Sequence, residues 1–168
     1  AAFFSAAHPT ISAGNQSNLA AAADLSEATL ETILTNIQKI TDDRGILIGA
    51  SAVSLHIPVD SWAIADRVLS SPGNTQTSAA AANPNNNAIN ATRHLGMLPD
   101  GYYINRRFTD TDAYFVKTDV PNGAKMFNRT PLQTKMEPDF DTGNLRFKAR
   151  ERYSFGVSDW RGYFGSAG

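Results

Sequence analysis

The feature that most constrains this chain is a strict alternation of residue types between positions 145 and 157. Apolar side chains occupy most odd positions, and cations occupy four successive even positions. The apolar set is Leu145, Phe147, Ala149, Tyr153, Phe155 and Val157, and the cationic set is Arg146, Lys148, Arg150 and Arg152. Because successive side chains of a β-strand point to opposite faces, the pattern predicts one long strand with an apolar face and a basic face.

The basic face needs an explanation, because alternate positions on a strand place cations about 7 Å apart, where they repel one another. Two explanations are open. In the first, water and salt screen the cations; in the second, the cations face either a phosphate backbone or acids on a neighbouring strand or on another copy of the chain. The obvious acidic partners are Glu137, Asp139 and Asp141. Two carboxylates can also hydrolyse a glycosidic bond, so a carbohydrate-active enzyme or sugar-binding module using these acids with Trp160 or Trp62 is a further hypothesis.

Composition excludes several functional classes. The chain has 168 residues, with 15 Lys and Arg against 16 Asp and Glu, so its net charge of −1 offers no general attraction to nucleic acid or an acidic membrane. It has no cysteine, and no stretch approaches the roughly 18 apolar residues of a membrane span. The three histidines are isolated, and phosphate-loop and serine-hydrolase motifs are absent. We therefore predict no catalytic residue, no metal site and no cofactor.

The first half of the chain predicts helices and short strands. A capping pattern at Asp24–Glu27 precedes an apolar stripe at helical spacing, and the turn sequence at 42–45 should end this helix at Gly45. The stripe consists of Leu30, Ile33, Leu34 and Ile37. Short buried strands are expected at 46–48 and 54–59, followed by a helix at 61–69.

The second half predicts strands after a polar insertion. Residues 70–92 contain almost nothing large and apolar, so we expect an exposed, mobile loop. The residues 112–118 and 124–128 should form a hairpin about Pro121-Asn122-Gly123, with Gly123 at positive φ. A helix group followed by a strand group indicates an α+β fold.

Several segments resemble the C-terminal part of tailed-bacteriophage major capsid proteins, in particular the Mu-like and related major head proteins. The similar stretches are TDTDAYFVK at 109–117, PNGAKMFNR at 121–129 and DFDTGNLRFKARERYSFGVSDWRGYFGS at 139–166. Shorter upstream matches include Phe3–Pro9, Ser17-Asn18-Leu19 and Asp42–Gly45. The similarity therefore runs in order along nearly the whole chain, and the run around Trp160-Arg161-Gly162 is its most specific part.

The resemblance implies the Hong Kong 97-type coat fold, built from a peripheral and an axial domain. It predicts an irregular segment at 1–23, a helix and strand entry to the axial region at 24–69, the loop at 70–92, axial strands at 93–138, and a long strand returning to the peripheral domain at 139–168. The arm, extended loop and spine helix of the family precede the matching region. Cover for the apolar stripe of the first helix would then come from upstream or from a neighbour, leaving it exposed here.

The implied function is self-assembly into the icosahedral head shell that encloses phage double-stranded DNA. An encapsulin-like nanocompartment shell is the alternative within the same fold. The expected partners are other copies in pentamers and hexamers, scaffolding, portal and decoration proteins, and DNA bound without sequence specificity, with no membrane. The expected location is the virion capsid, assembled in the host bacterial cytoplasm. The basic strand would form an inter-subunit or lumen-facing surface, with Trp160, Arg161 and Gly123 as structural anchors.

Overall fold

The centre of the molecule is a four-stranded mixed sheet. The computed structural model describes residues 2–73 and 89–168. The strands are β1 (His8–Pro9), β2 (Asn15–Gln16), β3 (Ala52–Ile57), β4 (Tyr102–Ile104), β5 (Tyr114–Thr118), β6 (Ala124–Pro138), β7 (Leu145–Val157) and β8 (Tyr163–Ser166). The central sheet has the order β4-β3-β5-β8, with β4 parallel to β3 and the other neighbours antiparallel. Two further two-stranded sheets are formed by β1-β2 and β6-β7.

In the part of the chain that the structure describes, three helices accompany the sheets, which agrees with the predicted α+β class. They are α1 (Glu27–Gln38), α2 (Trp62–Ser70) and α3 (Ala91–His94), with 3₁₀ turns at Val59–Ser61 and Trp160–Gly162. The predicted strand at 54–59 and helix at 61–69 correspond to β3 and α2. Within the described residues, no helix has the length and apolar character that crossing a membrane requires.

The N-cap of helix α1 lies two residues later than predicted. Ser26, not Asp24, is the N-cap, and its hydroxyl accepts a hydrogen bond from the Thr29 backbone N–H. The Thr29 hydroxyl accepts from the Ser26 backbone N–H in return, which completes a capping box. Ser26 lies directly before the first helical residue, Glu27, so its hydroxyl reaches free N–H groups that Asp24 is too far upstream to satisfy.

The apolar stripe of α1 is buried within this chain, so the expectation that it would be exposed is wrong. Its four side chains are 0 to 4 % exposed. They belong to one cluster with sheet residues including Leu55, Ile57, Val116 and Phe164. The sheet itself supplies the cover that the prediction assigned to an upstream segment or a neighbouring copy.

The predicted buried strand at 46–48 is instead an exposed turn. The Asp42 carboxylate accepts hydrogen bonds from the backbone N–H groups of Arg44 (2.7 Å) and Ile46 (2.9 Å), and Gly45 adopts φ 89°. Local side-chain hydrogen bonds of this kind compete with strand pairing and favour a turn. Gly45 therefore serves this turn, and α1 has already ended at Gln38.

The predicted hairpin between 112–118 and 124–128 does not form. Strand β5 pairs with β3 and β8, and β6 pairs with β7. Asn122 is the residue at positive φ (67°), whereas Gly123 lies outside that region. The turn sequence is thus correctly recognised as a turn, but it directs the chain away from β5 rather than back along it.

The predicted mobile loop at 70–92 lies mostly outside the described residues. Its two ends are described and are joined by a bridge between Gly73 and Ile89. Asn90 and Thr92 are buried, which corrects the expectation of exposure there. Asn90 caps α3 by accepting a hydrogen bond from the Arg93 N–H, and its amide also donates to the Val68 carbonyl.

Candidate assembly surface

The largest exposed feature is the antiparallel hairpin of β6 and β7, residues 124–157, which we call the ribbon. Its strands contain 15 and 13 residues, and the difference is absorbed by irregularities in register between Asn128 and Gln133. At about 3.3 Å per residue the ribbon is roughly 45 Å long. Among the described strands, β6 and β7 pair only with each other. The rest of the described chain, which we call the body, leaves almost every ribbon side chain exposed.

A tight turn closes the far end of the ribbon, which we call the tip (residues 139–144). The Asp139 N–H donates to the Asn144 carbonyl at 2.8 Å, and the Gly143 N–H donates to the Asp139 carbonyl at 2.9 Å. Gly143 adopts φ 67°, a conformation that favours glycine. The Thr142 hydroxyl also donates to the Asp139 carboxylate at 2.9 Å. These bonds fix a turn whose Phe140 side chain is 100 % exposed.

One face of the ribbon is apolar, as the alternation predicted. Phe155 lies opposite Met126, Phe147 opposite Met136, and Leu145 opposite Pro138. The large side chains of this face are 46 to 74 % exposed, and they are Met126, Met136, Leu145, Phe147, Tyr153, Phe155 and Val157. Contiguous exposed apolar surface on this scale marks an interaction site rather than ordinary surface variation.

The opposite face carries the basic row, and the structure pairs only one end of it with acids. Arg146 lies opposite Glu137 and forms an ion pair with Asp139 at 2.5 Å. Glu137 itself pairs with Lys135. Asp141 forms no ion pair with any residue that the structure describes. The acids at 137 and 139 therefore face cations of their own ribbon, at the end nearest the tip.

The other three cations of the row have no acidic partner across the strand. Lys148 lies opposite Lys135, a second cation. Arg150 and Arg152 lie opposite the neutral residues Gln133 and Thr130. Within the described part of the chain, these three make no ion pair. A row of like charges held side by side is destabilising, so anions that bind to this row relieve the repulsion.

The charges of the chain are segregated between ribbon and body. The ribbon contains seven of the 15 Lys and Arg but only four of the 16 Asp and Glu. The body is correspondingly acidic. A net charge near zero therefore conceals two regions of opposite sign, a pattern that favours contacts between the ribbon of one molecule and the body of another.

Two glycines in contact form the base of the ribbon. A Cβ atom added to Gly162 would lie 2.6 Å from the Cα of Gly123, and one added to Gly123 would lie 3.2 Å from the Cα of Gly162. The Asp159 N–H also donates to the Asn122 carbonyl at 2.9 Å. Gly123 thus matters for close backbone approach, not for the positive φ that the sequence suggested.

Trp160 and Arg161 hold the other side of this base. Trp160 stacks on His8, with ring centroids 4.3 Å apart and planes 2° from parallel. The Arg161 guanidinium lies 4.5 Å from the Trp160 ring centroid and forms an ion pair with Asp43 at 2.6 Å. Its Nε also donates to the Thr41 carbonyl at 3.0 Å. Both residues therefore join the N-terminal segment, the turn after α1 and the end of the ribbon.

Asn18 is a central residue of this junction that the sequence analysis did not single out. It is fully buried, and its Oδ1 accepts from the Ser5 N–H and lies 2.9 Å from His8 Nε2. Its Nδ2 lies within hydrogen-bond distance of the carbonyls of Phe3, Trp160 and Tyr163. The only signal for it was the short match at Ser17-Asn18-Leu19, because polarity alone suggests a loop.

Titratable groups of the body form no evident reaction centre. Asp110 and Asp112 share a side-chain hydrogen bond, which lowers the pKa of Asp110 and raises that of Asp112. Burial, followed by the nearby Lys117 charge, lowers the pKa of His56. In the described ranges, no group of three or more His, Asp or Glu side chains could hold a metal ion.

Comparison with known proteins identifies a family to which the chain belongs. A family model described as phage capsid protein matches residues 1–164. No curated protein matches the chain. The matched range includes α1, the whole ribbon with its glycine base, and the central sheet as far as Phe164 in β8.

Proposed function

Because this chain belongs to the phage capsid protein family, its role is structural, and we propose that it is a major capsid protein of the Hong Kong 97 type. In this proposal copies assemble into the icosahedral shell that encloses phage double-stranded DNA. Assembly would take place in the cytoplasm of the host bacterium. Pentamers and hexamers of this chain would form the shell, with scaffolding, portal and decoration proteins as further partners.

The observation that carries this proposal is the two-faced ribbon. A two-stranded hairpin gains little stability alone in water, and covering its apolar face supplies the missing burial. In a shell that cover is protein. The basic row then points away from the covering protein, since the two faces of a strand are opposite. We therefore assign Lys148, Arg150 and Arg152 to the lumen-facing surface, where DNA phosphates supply anions.

The ribbon also suggests a different division of the chain from the one expected from sequence. A boundary between 138 and 139 falls at the tip, in the middle of one continuous hairpin. A division at the glycine base keeps β6 and β7 together. We propose that the ribbon belongs to the peripheral domain and that the central sheet with α1 belongs to the axial domain. Trp160, Arg161 and Gly123 then anchor the junction between them.

Electron microscopy of the purified chain, combined with sedimentation, tests the proposal. We expect polyhedral particles from the unaltered protein and their loss in Phe147→Glu/Phe155→Glu, which places charge on the apolar face. The matched control Ile11→Glu/Ile46→Glu alters two exposed apolar residues away from the ribbon and should still assemble. A chain that stays monomeric under all assembly conditions, or a ribbon variant that assembles like the control, would refute the proposal.

The lumen-facing assignment has its own test. Arg150→Glu/Arg152→Glu should still assemble, and its unassembled chains should bind double-stranded DNA with a weaker salt dependence than unaltered unassembled chains, because two phosphate contacts are lost. Arg106→Glu/Arg107→Glu makes the same change in charge on exposed body residues and should leave the salt dependence unaltered. Identical salt dependence in both variants would contradict a phosphate-binding role for the row.

A further inference from the structure

We propose that the tip of one copy inserts Phe140 into a groove on the body of a second copy, a contact that rests on the proposed assembly role. The groove lies beside α1 and has a volume of about 310 Å³. Leu19, Ile33, Ile40 and Phe164 contribute apolar lining, and Asn36 and Lys39 contribute polar lining. It is therefore a recess with an apolar part, bordered by polar residues and a cation.

The groove contains an unsatisfied acceptor. Gln16, which also lines it, donates its amide to the Thr41 hydroxyl at 2.7 Å and to the Asp42 carbonyl at 3.1 Å. The Gln16 Oε1 atom is buried and has no hydrogen-bond donor among the described residues. A buried acceptor without a donor is costly, so this groove favours an occupant that brings N–H groups as well as apolar surface.

The tip has the matching chemistry. Phe140 is fully exposed on a turn that is closed by its own hydrogen bonds, so little conformational freedom is lost when it docks. Asp141 follows it and forms no ion pair within the described chain, whereas Asp139 is engaged by Arg146. Backbone N–H donors accompany both residues. The ring of Phe140 thus matches the apolar part of the groove, and the Asp141 carboxylate matches Lys39. The backbone N–H donors of the tip match the Gln16 acceptor.

The dimensions also fit. An apolar cavity of about 150 Å³ accommodates benzene, so the groove is large enough for a phenylalanine ring with part of the turn. Burial of such a ring removes about 150 to 250 Å² from water. The tip lies roughly 45 Å from the glycine base along a ribbon that pairs with no other described strand. The groove of a second copy is therefore the partner that we assign.

The absence of cysteine makes a direct test possible. A full-length Asn144→Cys chain, which keeps Phe140 and Asp141 and carries its thiol on the exposed tip, is mixed with an Asn36→Cys chain and oxidised under assembly conditions. The control partner is Glu31→Cys, which is also exposed on α1 but lines a different groove. Because docking raises the effective concentration of the two thiols into the millimolar range, we expect disulfide formation at least about tenfold faster with Asn36→Cys than with the control.

A charge exchange provides the second measurement. Using the same cysteine pair, Lys39→Glu alone and Asp141→Lys alone should each slow crosslinking, and the combination on opposite partners should restore it. Particles that form without selective crosslinking would refute this contact while leaving the proposed shell intact. Selective crosslinking in oligomers that never form shells would support the contact and refute the shell. Equal rates for Asn36→Cys and Glu31→Cys, or no restoration by the exchanged charges, overturn the inference.

Discussion

The body and the ribbon of this chain obtain their stability in different ways. The body buries Leu55, Ile57 and Val116 completely, and its sheet and α1 share one core. The ribbon contains three times as many paired positions as any pair of strands in the central sheet, yet its side chains remain exposed on both faces. Backbone pairing alone therefore does not bury the apolar side chains of a strand pair. The body is complete in one chain, whereas the ribbon has hydrogen bonds but lacks a core.

The strongest way to break this comparison is to remove a large apolar side chain from each region. Leu55→Ala should lower the free energy of unfolding by about 2 to 5 kcal/mol, because it leaves a cavity in the body. Phe147→Ala should lower it by less than about 1 kcal/mol in the monomer, since that ring is already in water. Urea denaturation measures both changes.

The same pair of variants should reverse order when assembly is measured. Phe147→Ala should reduce particle yield at a protein concentration where Leu55→Ala, kept at a temperature at which it is folded, still assembles. Equal losses of monomer stability would show that the ribbon has a core within the chain, contrary to the comparison.

Removal of the Asn18 side chain tests whether the junction between the two regions is held by buried hydrogen bonds. Asn18→Ala leaves backbone groups of Phe3, Ser5 and Tyr163 without their partner. We expect a loss of about 2 to 3 kcal/mol in the free energy of unfolding. Asn15→Ala, at an exposed position in the same segment, should change it by less than about 0.5 kcal/mol. Similar effects of the two substitutions would show that Asn18 is not a special contact.

The glycine base offers a smaller perturbation of the same junction. Gly162→Ala would place a Cβ 2.6 Å from the Gly123 Cα, and backbone cannot yield as a side chain can. We expect a cost of about 1 to 3 kcal/mol and a lower melting temperature. Gly156→Ala is the matched control, because its Cβ meets only the end of the Phe127 ring at 3.2 Å. Equal melting temperatures for these variants would indicate that the base has room to open.

Sequence periodicity could predict the elements whose pattern is visible in consecutive residues, whichever elements they pack against. The stripe of α1 and the alternation of β7 are written in consecutive residues, so both elements were predicted. The pairing of β5 with β8 was not, because 44 residues of ribbon and turn separate the sequences that meet there. Local turn chemistry at Asn122 favoured a hairpin, and only the distant β3 and β8 edges decide against it.

The functional surface was likewise only partly predictable from the sequence. Alternation was enough to predict the basic row, and the register places Glu137, one of the candidate acids, opposite Arg146. Alternation could not show that Lys148 faces Lys135, because it indicates the face on which a residue lies and not the residue opposite it on β6. The groove beside α1 was equally hidden, because Gln16, Lys39 and Phe164 come together only in the folded chain.

The smallest expected effect concerns pH and the turn that carries Asp43, the partner of Arg161. The Ile46 backbone N–H, together with that of Arg44, lowers the pKa of Asp42 below its ordinary value of 3.8. A group with a lowered folded pKa contributes stability above its unfolded pKa and loses it as the pH falls through the folded pKa. Asp42→Asn should therefore be less stable than the unaltered protein at pH 7, and this difference should shrink as the pH is taken below 3.8.

Thermal melts across this range measure the difference in stability. The control is Asp60→Asn, because no such hydrogen bonds to Asp60 occur in the described structure. A difference that grew toward acid would mean that the carboxylate does not stabilise the turn, and the junction would then depend on Asn18 and the glycine base alone.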